Sequence, residues 1–505
     1  MLKAAYHSSC RSDMPFVAPP PSLALEFQFD FHLLHNPTHV IAVHPLSNGT
    51  LKIYTFADVV PRIHELAYYL HTEVNASTRS SNQCSNRTPI IAILATLDAF
   101  TYFMVIMGIL RAGMIAFPIS PRFSPSVTAY LIDTVQPSHI LTDERSQHLT
   151  RNALHLVQGS VKPCEILAPS FEQIFTPKHA NTYFPKHSRD LHDIAYVIHS
   201  SSSSAMFPKT IHCSAHFMLK NAEVIGVGAL SFCGTCISEL AGELLCLYQK
   251  GCTAHTSKAR SGFAMALLNP LDPSSIIPAS PKTIFEGFLS TNPSYVYASP
   301  ALIEIWAHSP KITLFLASIK TVITAGKRLN KAVGDALVER GVHINVAFGS
   351  TETGAISILS PDQGMDWEYF YAPPIQEFQF GRRPDGYYSL IVLSTQNRTL
   401  PVCNTTYAET PAYDPGDIFM KHPTKEHHYC VIGRSSDQIM LMSGEMVNPA
   451  PIEEIILRHQ QIQSTLLFGH AQKYLGILIE PIEAILHDTI ELEIFLADFQ
   501  FVLDS

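Results

Sequence analysis

The chain has 505 residues, of which 46% are hydrophobic and only 15% charged, and a net charge of −9. That composition excludes a disordered chain and leaves room for a large core and two or more domains. With no run of Lys and Arg, nucleic acid is excluded as an expected partner, because its phosphates call for clustered cations.

The scattered histidines include no HExxH-type pair, and the cysteines are spread as in a reduced, cytoplasmic protein. The apolar run Ala99 to Leu110 is too short to span a bilayer, so no membrane contact is expected and the run reads as a buried helix. Residues 1–24 lack periodicity and the basic and apolar regions of a signal peptide, and read as a loose tail. Helical spacing of apolar residues predicts a helix from Val59 to Leu70 with Thr55 as N-cap, followed by a polar loop over residues 77–88. Pro89 to Leu94 is an apolar strand. A helix from about Leu97 to Ala112, closed by Gly113, leads to short strands at Met114–Pro118 and Ser138–Asp143. This alternation predicts an α/β domain with parallel pairing. Asp193 to Ile198 and Ser318 to Thr324 are further strands, and a helix from about Asn330 to Arg340 stops at Gly341. After the β segments Tyr387–Leu393 and His428–Ile432 the chain becomes small and self-contained. It continues as a hairpin over Gln438–Val447, a helix starting at Pro449, and strands at Thr465–Phe468 and Leu475–Ile479.

Several stretches carry functional groups. His199-Ser-Ser-Ser-Ser-Ser204-Ala-Met-Phe-Pro208-Lys209 opens from a strand into hydroxyls and ends on a cation. It reads either as a phosphate grip, using hydroxyls such as those of Ser202 and Ser204 and the charge of Lys209, or as a serine linker. Phe348-Gly349-Ser350-Thr351-Glu352 packs an aromatic face, a glycine, hydroxyls and a carboxylate into one turn. The ring suits a purine, Gly349 a close backbone approach, Thr351 phosphate oxygens and Glu352 a magnesium ion; an ordinary Gly/Ser/Thr turn is the other reading. Asp417, ending Tyr413-Asp-Pro-Gly416-Asp417, suits two ribose hydroxyls or a plain turn. Gly433-Arg434 and Ser435-Ser436-Asp437 mark a change of organisation. Cys233-Gly-Thr-Cys236 has redox spacing without a second motif to support it.

In this order the stretches resemble the adenylate-forming enzymes, the superfamily of acyl-CoA synthetases, luciferases and nonribosomal-peptide adenylation domains, over about residues 45–480. Leu110-Arg-Ala-Gly-Met-Ile-Ala-Phe-Pro118 resembles an early adenylation signature, residues 200–209 the phosphate loop, Phe348–Glu352 the aromatic-Gly-x-Thr-Glu motif, Asp417 the ribose-binding Asp and Gly433-Arg434 the start of the hinge motif. Phe117-Pro-Ile-Ser-Pro-Arg122, Gly334 to Gly341 and the segment Asp437 to Pro449 further resemble fungal NRPS-like carboxylic acid reductases.

The resemblance implies an α/β fold: a large adenylation domain of stacked α/β subdomains over residues 25–432 and a small α+β C-terminal subdomain over residues 433–505. It implies ATP and Mg²⁺, a carboxylic acid substrate that becomes an acyl-adenylate, and a phosphopantetheine carrier domain acting in trans. Phe348 would stack adenine with Gly326 and Gly349 beside it; Thr351, Lys209, Ser202 and Ser204 would hold phosphates; Glu352 would bind Mg²⁺; Asp417 and Arg434 would fix the ribose. The acid would lie among Tyr295 to Ile303 and Thr324 to Gly326, against Phe232, and these largely apolar and aromatic segments suggest an aryl or apolar acid. The small subdomain would swing about Ser435–Asp437.

Three departures accompany the resemblance. Ser203 and Met206 stand where the phosphate loop has glycines, a change worth about 1–3 kcal/mol of strain where the backbone needs positive φ. Leu230-Ser-Phe232-Cys233 lacks the histidine of the reductases, and the chain ends at Ser505 before the family's C-terminal lysine segment. The expectation is therefore adenylation chemistry that is impaired or incomplete; the alternatives are a non-catalytic nucleotide-binding remnant and a scaffold.

Overall fold

The structure is a computed structural model. It describes residues 16–20, 22–45, 50–81, 87–159, 162–176, 183–187, 189–200, 207–223, 244–248, 264–266, 281–360, 363–443, 446–457, 459 and 461–481. The fold is α/β, with three main sheets among these residues.

The first sheet has the order Cys164–Leu167, His139–Thr142, Ile90–Leu94, Ile115–Pro118, Ile194–Ser200, Lys209–Ser214. The first five strands pair in parallel and the last returns antiparallel, with Ile198 opposite Ile211 and Ser200 opposite Lys209. The parallel pairing follows from the strand–helix–strand alternation, because each crossover helix covers a face of the sheet. The strands Ile90–Leu94 and Ile115–Pro118 flank the helix Ala99–Arg111. Its apolar run is buried from Phe100 to Arg111, which explains why a segment this apolar is a core helix. Asp98 caps it, accepting from the N–H groups of Phe100 and Thr101.

The second sheet runs Ile344–Val346, Thr321–Thr324, Tyr295–Ala298, Leu244–Tyr248, Ala264–Ala266, Val40–Pro45, Leu51–Thr55. Its first three strands are parallel, so their carboxyl ends and the loops beyond them lie side by side. The third sheet is antiparallel and includes Tyr388–Leu393, Asp417–Lys421 and His428–Arg434. Beyond it, the hairpins Ile439–Met440/Met446–Val447 and Ile462–Phe468/Gly476–Pro481 enclose a separate small core of Ile439, Ile456, Ile462 and Leu467.

Some boundaries differ from the sequence reading. The helix expected at Val59–Leu70 spans Phe56–Ser81 and takes in part of the expected loop. Among its late polar residues, Ser77 turns its Oγ back to the Glu73 carbonyl at 2.7 Å, which satisfies the hydroxyl within the helix. Thr55 does not accept from the helix; it donates through its N–H and Oγ1 to Asp58 Oδ2 at 2.8 and 2.7 Å. The strand expected from Ser318 begins at Thr321, because Ser318 ends the helix Pro310–Ser318, which buries Ile312 and Leu316. Within the expected tail, Val17 donates to Asn36 Oδ1 at 2.8 Å and accepts from Asn36 Nδ2 at 2.7 Å.

Candidate active site

The carboxyl ends of the parallel strands in the second sheet meet the hairpin of the first sheet around a cavity of about 240 Å³. Tyr297, Ala325, Gly326 and Ala347 line it from the former; Tyr196, Ile198 and Cys213 line it from the latter. The crevice beyond the carboxyl ends of parallel strands is where open α/β sheets bind ligands, because loops and unpaired backbone groups gather there. Phe217, Met218 and Asn221 of the helix Ala215–Glu223 close one side, and the turn from Phe348 to Ser357 closes another. None of the described lining side chains is ionised at neutral pH, so the cavity suits an uncharged, flat group.

Phe348 is half-buried. Its ring stacks on Phe370 at 4.9 Å with planes 12° apart and meets the edge of Phe419 at 5.2 Å, while still lining the cavity. Its N–H donates to Ser357 Oγ at 2.7 Å. Core packing thus fixes the ring for any ligand stacking it performs. Gly349 has a reason internal to the chain: a Cβ there would lie 2.5 Å from the Gly354 carbonyl across a two-residue antiparallel pair. Gly349 also lines the cavity, so its bare backbone faces both the chain and the crevice. Gly354 adopts φ +71°, and a side chain on it would collide with Asn221.

Inside the turn, Ser350 Oγ lies 3.0 Å from Thr353 Oγ1, and the Thr353 N–H donates to Ser350 Oγ at 3.2 Å. Thr351 lines the cavity. Glu352 does not line it and takes no hydrogen bond or ion pair among the described residues. Its charge is felt by two neighbours. Burial and then Glu352 push the Cys213 thiol up to about 12, and the same two causes push the Tyr413 hydroxyl up to about 12.

Tyr413 also feels Arg434 and Asp417, which belong to the second motif. There Asp417 and Arg434 face each other across the ladder, and Arg434 Nε donates to Asp417 Oδ1 at 3.0 Å. Asp417 is buried while the Arg434 side chain is half-exposed. Burial raises the Asp417 carboxyl above its ordinary 3.8, against the pull of Arg434. Asp417 Oδ2 accepts no hydrogen bond among the described residues, so one carboxylate oxygen is left for hydroxyl donors.

Gly326 lines the cavity with φ +88°, and nothing lies within 4 Å of where a Cβ would be, so its backbone is open to a ligand edge. Lys209 is exposed at the start of its strand and does not line the cavity. By strand alternation it shares the face of Ile211 and Cys213, two positions beyond Ile211 toward the loop. Ser202, Ser204, Ser203, Met206, Phe232, Cys233 and Cys236 lie outside the described residues. Of the segment Tyr295 to Ile303, Tyr297 lines the cavity, whereas Ile303 packs in the core with Trp306 and Leu316. The segment is a strand running into the helix Pro300–Ala307, and the helix turns Ile303 away from the crevice.

Several site residues escaped the sequence reading. Tyr196 and Ile198 sit in a strand whose apolar run gives no sign of which face meets a crevice. Asn221 is one polar residue in an amphipathic helix, and Arg398 lies in the polar stretch Asn397-Arg-Thr, where a buried clamp has no sequence signature. For magnesium, the described residues hold no cluster of three or more His, Cys, Asp or Glu. A single unpaired carboxylate such as Glu352 nevertheless fits that ion, which is usually held by one or two carboxylates, substrate phosphates and water.

Residues 36–376 match the AMP-binding enzyme family, and residues 436–499 match the AMP-binding enzyme C-terminal domain. The adenylate-forming reductase Nps10 of Heterobasidion annosum is 30% identical over 486 residues, which covers 94% of this chain and 44% of the relative. The adenylate-forming reductase Nps11 of Serpula lacrymans var. lacrymans is 29% identical over 471 residues, covering 88% and 42%. The chain therefore spans less than half the length of these curated relatives. Among solved structures, the anthranilate CoA ligase AuaEII in complex with anthranoyl-AMP aligns with a TM-score of 0.65 at 14% identity, over 93% of this chain and 90% of that one. A benzoate CoA ligase from Burkholderia xenovorans LB400 aligns at 0.64 and 15%, over 93% and 91%.

Proposed function

The chain belongs to the AMP-binding enzyme family, and on that premise we propose that it uses ATP to activate a carboxylic acid as an acyl-adenylate. A carboxylate oxygen of the acid bonds to the α-phosphorus of ATP, the bond from that phosphorus to its bridging oxygen breaks, and pyrophosphate leaves with the electron pair. Little covalent chemistry falls to the protein, whose work is positioning and charge stabilisation.

The observation that supports this reading is that Gly326, Phe348, Gly349 and Thr351 line one cavity beyond the carboxyl ends of the parallel strands. The Asp417–Arg434 pair, remote in sequence from that turn, is near enough to Tyr413 for its hydroxyl to feel both the pair and Glu352. Adenine would lie against Phe348 near the open backbone of Gly326, with Gly349 in the same turn. Asp417, through the oxygen that Arg434 leaves, would accept from ribose hydroxyls. Thr351 would donate to phosphate oxygens, with Ser202, Ser204 and Lys209 of the preceding loop as further phosphate contacts. Glu352 would hold a magnesium ion, which when bound neutralises charge on the phosphates. The apolar and aromatic lining formed by Tyr297, Phe217 and Met218 favours an uncharged, apolar or aryl body on the acid. A phosphopantetheine carrier domain in trans is the proposed acceptor, as fits relatives more than twice this chain's length.

The test is acid-dependent ATP–pyrophosphate exchange with a panel of aryl and aliphatic acids. The proposal expects exchange above background that disappears in Glu352→Ala. ATP binding without exchange for any acid favours a non-catalytic nucleotide-binding protein, and no ATP binding at all removes the nucleotide reading.

A further inference from the structure

Arg398 is 5% exposed, and burying a guanidinium is unfavourable unless its donors are satisfied. Its Nη2 donates to the carbonyls of Thr353 and Ala355, both at 2.7 Å. Its guanidinium carbon lies 5.1 Å over the Phe378 ring. The Arg398 N–H donates to Thr395 Oγ1 at 3.2 Å, and that hydroxyl donates to buried Glu377 at 3.0 Å, so the loop carrying the arginine is itself tied down. On the other side of the turn, Asn221 Oδ1 accepts from the Ala355 N–H at 3.2 Å. Side chains from two separate elements therefore grip Ala355 by both of its backbone groups.

A methionine or leucine would fill the same space without a buried charge. What the guanidinium adds is a single nitrogen that bonds two carbonyls of the turn bearing Thr351 and Glu352. We propose that Arg398 is a positioning residue for ATP: by holding the carbonyls of Thr353 and Ala355, it fixes the backbone from which Thr351 and Glu352 project. This inference rests on the nucleotide reading of that turn.

The test compares wild type, Arg398→Lys and Arg398→Met in the full chain. Titration calorimetry with Mg-ATP gives the affinity, pyrophosphate exchange gives KM for the acid, and hydrogen exchange follows the amides of residues 350–355. The inference expects ATP to bind Arg398→Met about tenfold or more weakly, as for a site loosened by a displacement of ångström scale, with KM for the acid held within about twofold. Arg398→Lys, able to reach one carbonyl, falls between. Amide exchange rises in residues 350–355 while the helix Ala99–Arg111 keeps its protection. Wild-type ATP affinity in folded Arg398→Met overturns the inference, and so does exchange raised across the whole chain, which marks a purely structural role. Wild type that binds no ATP overturns the nucleotide reading, and is seen without any variant.

Discussion

Arg434 Nε and Asp417 Oδ1 are 3.0 Å apart, at directly paired positions of two antiparallel strands, yet only the aspartate is buried. The arginine covers one carboxylate oxygen and remains half in solvent. Replacing Asp417 with Asn keeps the shape and removes the charge. ATP affinity is expected to fall by about 10- to 100-fold, the scale of a hydrogen bond to a charged group, about 1.5–3 kcal/mol. Thermal stability should hold, because the carboxylate's burial already opposes its ionisation. Calorimetry and a melting curve measure the two effects.

The same burial sets a pH dependence. The folded carboxyl of Asp417 titrates above its ordinary 3.8, so between those two values the native state holds more protons than the unfolded state. Stability contributed by this group therefore falls as pH rises through that window. With the proposed ribose role, ATP affinity is expected to run the other way, being lost on acidification at a higher pH than an ordinary aspartate would give. Affinity measured against pH in wild type and Asp417→Asn checks this, and the variant should lose that component of the profile.

Phe348→Ala removes a ring stacked on Phe370 and edged by Phe419. Full burial of such a ring is worth about 3–5 kcal/mol, and a half-buried one should lose about 2–3 kcal/mol. Denaturant unfolding reads the loss, and ATP binding should weaken with it. Phe348→Tyr should keep both nearly intact.

Gly354→Ala meets two obstacles, a positive φ and the Asn221 side chain. The expected destabilisation is about 1–3 kcal/mol. Adding Asn221→Ala relieves the collision but not the backbone strain, so the double variant should recover part of the loss. Unfolding curves of the two singles and the double test this coupling.

Cys213 is buried with Glu352 nearby and titrates near 12, so the thiolate that reacts with alkylating agents is scarce at pH 8. Iodoacetamide followed by peptide mass spectrometry should modify exposed Cys403 in the native protein and leave Cys213 untouched until the chain is unfolded.

Much of this was legible in the sequence, because the features that make strands and crossover helices are local. The apolar run through Ala99–Arg111 and the alternation around Ile90–Leu94 and Ile115–Pro118 state the parallel sheet on their own. The turn at Phe348 and the aspartate at 417 were legible as groups suited to nucleotide. What holds them was not. Gly349 lines the cavity, and its lack of a side chain is also required by the Gly354 carbonyl, which the sequence does not show. Arg398 reads as loop polarity and is a buried clamp, and Tyr196 faces the cavity by a parity that only pairing with Cys213 fixes. Contacts between segments 45 to 134 residues apart, such as Arg398 to Thr353 and Asn221 to Ala355, have no local signature.

Acid activation by this chain is read most directly from its product. Incubated with ATP, Mg²⁺ and a mixture of aryl and aliphatic acids, the wild-type chain should yield an acyl-adenylate, seen by mass spectrometry as the ester of AMP with one of those acids and accompanied by pyrophosphate. Glu352→Ala should yield none. ATP held by the wild-type chain with no acyl-adenylate from any acid would rule out acid activation.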